Sequence, residues 1–138
     1  MPSKMLPIDV ANLRVLVADD NPGDMLILQT MLRHLGFCKI DEAIDGSIAF
    51  KKLCNAPYDL IITDWQMPLL DGVTLIKNIR SDKRLRDIPT ILLTGNSAQD
   101  QVVQAISAGV SGYIVKPIDK EILLMKLQTI LPNVSFES

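Results

Sequence analysis

Five times between Leu13 and Leu131, a short β-branched or leucine-rich run gives way to a longer stretch with apolar residues three or four apart. The runs are Arg14–Asp19, Lys39–Ala43, Asp59–Thr63, Thr90–Leu93 and Gly112–Val115. The stretches carry stripes such as Met25, Leu28, Leu32 and Leu35, or Val102, Ala105 and Ile106. Gly36, Pro57, Gly109 and Pro132 stand where helices should stop. Strands alternating with helices leave one main architecture open, an α/β domain whose parallel sheet is covered on both faces by its crossover helices.

Strand composition carries the order of that sheet. Val15–Ala18, Leu60–Ile62 and Ile91–Leu93 are apolar without alternation, as strands buried on both faces must be. Lys39, Asp41 and Glu42 make the second run half polar, which suits an edge. Two edges and three inner strands fit a three-layer (βα)5 fold of flavodoxin-like type, with strand order 2-1-3-4-5. A chain of 138 residues buries about two-thirds of its unfolded surface, enough for one core. The expected organisation is a loose lead-in at 1–12, one domain at 13–131 and a tail at 132–138.

The remaining composition excludes more than it assigns. A net charge of −2 gives no general attraction to nucleic acid or anionic lipid. No apolar run exceeds four residues, and the first twelve lack the apolar stretch of a secretory signal. Cys38 and Cys54 are too few for a disulfide scaffold, show no metal-ligand spacing, and are expected to be small buried apolar residues. Together these features describe a soluble, cytoplasmic domain.

In an open parallel sheet, ligands bind beyond the carboxyl ends of the strands, near the point where strand order reverses. Asp19 and Asp20 follow the first run, Asp64 the third, Thr94 the fourth and Lys116 the fifth. Three carboxylates, a hydroxyl and an ammonium therefore converge on one rim. Each carboxylate pair at about 5 Å repels by about 3 kcal/mol at an effective dielectric near 20. Lys116 offsets only part of this, so either the acids hold protons as a coupled set or a divalent cation sits among them. Oxygen ligands without His or Cys favour Mg²⁺, and a metal beside a lysine suits a phosphoryl group. Asp64, between the acid pair and Thr94, is the candidate nucleophile.

Val15-Leu16-Val17-Ala18-Asp19-Asp20, Asp64-Trp65-Gln66-Met67-Pro68 with Asp71-Gly72, Leu93-Thr94-Gly95, and Tyr113-Ile114-Val115-Lys116-Pro117 together resemble the receiver domain of two-component response regulators, in wording especially CheY-like receivers. The resemblance implies that Asp64 accepts a phosphoryl group from a sensor histidine kinase or phosphotransfer protein. It implies Mg²⁺ held by Asp20, Asp64 and the Gln66 backbone carbonyl, with Asp19 acting mainly through water. Lys116 would pair with the phosphoryl oxygen, and the bond from Lys116 to Pro117 would be cis. Thr94 would move onto the phosphoryl group, Tyr113 would turn inward behind it, and an altered surface would meet a downstream protein. Gln66 and Asn96, two residues past Asp64 and Thr94, would tune dephosphorylation.

Each residue alone also has a plainer reading. Asp19 or Asp20 could cap a helix, Asp64 could be a turn residue, and Thr94 and Lys116 could be loop residues. His34, the one histidine, reads as a solvent-facing residue at a helix C-terminus. The polar run Gln99, Asp100, Gln101, Gln104 and Ser107 reads as the wet face of a helix or as part of an output surface. Alternatives to the switch are a phosphorelay intermediate, a pseudo-receiver that binds partners without phosphorylation, and an aspartyl-nucleophile phosphohydrolase. The last lacks the second acid it needs where Gln66 stands. No basic recognition helix for DNA is present.

Overall fold

The computed structural model describes residues 7–95 and 99–137. After a short strand β1 (Ile8–Asp9) and a 3-10 turn at Val10–Asn12, the chain runs β2 (Arg14–Ala18), α1 (Pro22–His34), β3 (Lys39–Ala43), α2 (Gly46–Asn55), β4 (Leu60–Asp64) and α3 (Gly72–Ser81). It continues through β5 (Thr90–Thr94), α4 (Gln99–Ala108), β6 (Gly112–Val115), α5 (Lys120–Ile130) and a last strand β7 (Val134–Ser135).

The main sheet is parallel with order β3-β2-β4-β5-β6. Counted over the five runs alone, this is 2-1-3-4-5, as the sequence indicates. The half-polar run is the edge strand β3, and β4 and β5 are buried at every position. Alternate residues of the inner strands feed two different layers. Val15, Val17, Leu60, Ile62, Ile91 and Leu93 pack with Leu28 and Leu32 of α1 and Leu123 and Leu127 of α5. Leu16, Ala18 and Ile61 face Ala49 and Leu53 of α2 and Leu75 and Ile79 of α3. Leu92 meets Val73, Ile76, Ala105 and Ala108 where α3 and α4 adjoin.

Four helices start on an Asn or Asp cap, from Asn21, Asp45, Asp71 and Asp119, each accepting from a backbone N–H in the first turn. Asn21 caps α1, with Pro22 in the first turn, so neither Asp19 nor Asp20 is spent on that role. Both are left at the strand end.

Several residues depart from the sequence expectation. Ile8 and Asp9 in the lead-in pair in parallel with Val134 and Ser135 in the tail. Val10 is buried beneath them, and Phe136 stacks at a tilt on Phe37 with ring centroids 6.1 Å apart. Gly36 permits this closure: it has φ of 105°, and a β-carbon there would run into Val10. Cys38 is exposed and Cys54 half-buried, because Cys38 opens into the edge strand and not the core. Ile106 is exposed, since the inward stripe of α4 runs through Ala105 and Ala108. Among the described residues, no helix is long and apolar enough to cross a membrane.

Candidate functional site

Asp64 is the last residue of β4, beside Leu93 of β5, and it is 9% exposed. Its backbone is held by Gly72, whose N–H donates to the Trp65 carbonyl at 2.7 Å. A β-carbon at Gly72 would overlap the Asp64 carbonyl oxygen, which explains the Asp71-Gly72 pair at the start of α3. The Asp64 carboxylate accepts the Trp65 N–H at 3.0 Å through Oδ1. The same oxygen lies 3.2 Å from the Lys116 ammonium, which arrives from the end of β6. The peptide bond from Lys116 to Pro117 is cis.

Asp19 leaves β2 at the adjacent position, tied to the edge strand by its N–H to the Ala43 carbonyl at 3.0 Å. Its Oδ1 accepts from Asn21 N–H at 2.9 Å. Its Oδ2 is buried without a hydrogen-bond donor, 3.6 Å from Lys116 Nζ. Asp20 is exposed beside it. One oxygen from each of Asp19, Asp20 and Asp64 falls within 4.8 Å of the others. Three clustered acids, one of which carries a buried carboxylate oxygen that no donor reaches, form an arrangement a hard divalent cation completes, and the donor set suits Mg²⁺.

The electrostatics agree. Burial, then the charge of Asp19, pushes the Asp64 carboxyl above its ordinary value despite Lys116. Asp19 is likewise raised, chiefly by burial. Burial opposes the charge on Lys116, but its hydrogen bond to Asp24 and the charges of Asp64 and Asp19 outweigh it and raise its pKa.

Asp64, Trp65 and Gln66 stand between two clefts. One is lined by Thr94, Gly95, Gln101 and Lys116, the other by Asp20, Asn21 and Asp24. Thr94 ends β5, is 4% exposed, and its hydroxyl lies 3.4 Å from Gln101 Oε1. Gln66 is exposed at the mouth of both clefts. Tyr113, half-buried on β6, packs against the α3–α4 cluster with the Lys126 ammonium 5.5 Å from its ring centroid, and is not among the residues lining either cleft. Asn96 lies outside the described residues.

Two features escape sequence reading. Asp24, in the first turn of α1, places Oδ2 3.0 Å from Lys116 Nζ, closer than either other acid paired with it. Gln101 and Gln104 line the Thr94 cleft, although in sequence they read only as the wet face of a helix or as part of an output surface.

The family described as the response regulator receiver domain matches residues 15–128. The chemotaxis protein CheY of Pseudomonas aeruginosa is 36% identical over 123 residues, covering 89% of this chain and 99% of that protein. CheY-3 of Vibrio cholerae is 40% identical over 119 residues, covering 86% and 92%. Among solved structures, the receiver domain of a Pseudomonas aeruginosa sensor histidine kinase superposes with a TM-score of 0.80 at 31% identity, covering 87% of this chain and 98% of that one. That domain holds a magnesium ion in its active-site cleft. Vibrio cholerae CheY4 superposes with a TM-score of 0.79 at 29% identity, covering 86% and 98%. With its sheet order, its rim of acids and lysine, and these relatives in agreement over most of its length, the chain belongs to the response regulator receiver family and is CheY-like.

Proposed function

We propose that this receiver is a phosphorylation-dependent switch in which Asp64 accepts a phosphoryl group from the phosphohistidine of a sensor kinase or phosphotransfer protein. The observation that carries this reading is the 3.2 Å pairing of Lys116 with Asp64 beside two further acids. A carboxylate oxygen of Asp64 attacks phosphorus as the phosphorus–nitrogen bond to the donor imidazole breaks. The electron pair leaves with that nitrogen, and because the other ring nitrogen carries a proton the donor departs as neutral imidazole. Lys116 then pairs with a phosphoryl oxygen, and the Thr94 hydroxyl turns from Gln101 to donate to another.

Mg²⁺, when bound, neutralises charge on the transferring group. Asp20, Asp64 and the Gln66 backbone carbonyl would hold it, with Asp19 at one remove. Tyr113 follows Thr94 inward, and the altered surface binds a downstream protein. Gln66 and Asn96 supply no acid or base to an incoming water, so the phosphoryl group is lost slowly. The chain is a switch and not a turnover enzyme. The free thiols of Cys38 and Cys54 accord with a reducing compartment, the cytoplasm.

Incubation with Mg²⁺ and acetyl phosphate, followed by intact mass analysis, tests this reading. A gain of one phosphoryl group in wild type and none in Asp64→Asn supports it. An unmodified wild type, or an equally modified variant, contradicts it.

A further inference from the structure

Lys116 is shared among three carboxylates on three segments. Its ammonium lies 3.0 Å from Asp24 Oδ2, 3.2 Å from Asp64 Oδ1 and 3.6 Å from Asp19 Oδ2. An ammonium has three protons; Asp24 and Asp64 are close enough to engage two of them, and Asp19 at 3.6 Å acts on its charge without a hydrogen bond. A phosphoryl oxygen arriving at Asp64 is a further claimant, and it competes with Asp24, the shortest of these contacts, for the position and charge of the ammonium.

The three acids are not equivalent. Asp19 and Asp64 belong to the group whose oxygens gather tightly enough to share a cation, and Asp24 does not. A divalent ion in that group would draw on the charge of Asp19 and Asp64 and leave Asp24 as the full counter-ion of Lys116. Asp24 is also fixed in place: its N–H donates to the cap residue Asn21 at 3.0 Å, and its side chain, 41% exposed, spans from α1 to the lysine 92 positions away.

We propose that Asp24 is a positioning residue that holds the Lys116 ammonium back from the phosphoryl site, and so lowers the fraction of protein phosphorylated at a given donor concentration. The proposal rests on the switch reading above and adds a residue that sets its threshold. A part-exposed ion pair is a weak restraint. It therefore shifts the balance without blocking the reaction, and Lys116 transfers from Asp24 to the phosphoryl oxygen when that oxygen appears.

The test compares wild type with Asp24→Asn and Asp24→Glu at saturating Mg²⁺ and limiting acetyl phosphate, with the phosphorylated fraction read by intact mass. Asp24→Asn, which keeps the side-chain shape and removes the charge, accumulates phosphoprotein about three- to fivefold more readily than wild type. Asp24→Glu returns the value towards wild type. In a Lys116→Gln background the effect of Asp24→Asn disappears, because the residue through which Asp24 acts is gone. The NMR signal of the Lys116 ε-methylene gives a readout that needs no phosphorylation: it shifts in Asp24→Asn.

Equal accumulation in wild type and Asp24→Asn overturns the proposal, as does an undiminished effect in the Lys116→Gln background or an unmoved Lys116 signal. A wild type that takes no phosphoryl group fails the switch reading instead, so the two failures are distinguishable.

Discussion

Gly72 and Asp64 are in backbone contact: the α-carbon at the start of α3 lies so close to the Asp64 carbonyl that no side chain fits between them. The helix start and the proposed acceptor strand are therefore built as one unit, stitched by the hydrogen bond from Gly72 N–H to the Trp65 carbonyl. A methyl group at position 72 must push the end of β4 away. Gly72→Ala is expected to cost about 1–3 kcal/mol in urea unfolding, the usual range for overpacking. It should also weaken the Mg²⁺ response of Trp65 fluorescence, because Asp64 moves with its backbone.

The raised pKa of Asp64 has a stability consequence with a definite sign. Its charge opposes folding, so its contribution is fully present below its ordinary pKa and is lost as pH rises through the raised folded value. Without metal, Asp64→Asn should therefore be more stable than wild type at neutral pH, by about 1 kcal/mol. The difference should close as pH falls below about 4. Thermal unfolding in EDTA across pH 3.5–7.5 measures it, with an expected neutral-pH gain of about 4 °C.

Mg²⁺ should reverse that ranking. A cation that binds only the folded acid cluster stabilises by mass action, about 2.7 kcal/mol at one hundred times its dissociation constant. Wild type is expected to show a dose-dependent rise in Tm and a change in Trp65 emission, both removed by chelation. Asp20→Asn leaves the buried core untouched, since Asp20 is exposed, yet should lose most of the response.

Arg80 joins three segments at the opposite rim of the sheet from the site, where β5 and β6 begin. From α3 its guanidinium donates to the carbonyls of Gly109, Arg86 and Ile88 at 2.7–2.8 Å, to Thr90 Oγ1 at 3.0 Å and to Ser111 Oγ at 3.3 Å. Arg80→Ala strands several part-buried acceptors and is expected to cost about 2–4 kcal/mol. Arg80→Lys should recover little, because an ammonium cannot reproduce the planar fork. Urea unfolding of the two variants checks this.

The residues at the strand ends were legible in the sequence because an open parallel sheet has one ligand-binding rim, and five runs of the right length define it. Edge and inner strands were legible for the same reason that β3 carries Lys39, Asp41 and Glu42 while β4 and β5 carry almost none. Asp24 was not, because an acid in the first turn already has a local explanation in the helix dipole, and its partner is 92 residues away. The pairing of Ile8–Asp9 with Val134–Ser135 was not legible, since two-residue strands have no period. The cleft-lining place of Gln101 was not legible, because polarity cannot tell a solvated face or an output surface from one lining a polar cleft.

Locating the phosphoryl group within the chain tests the central claim most directly. After reaction with acetyl phosphate and Mg²⁺, borohydride reduces an acyl phosphate to an alcohol, and proteolysis with tandem mass spectrometry finds the altered residue. The account predicts modification at Asp64 alone, dependent on Mg²⁺. Modification at Asp19, Asp20 or Asp24, or none at any carboxylate, would contradict it.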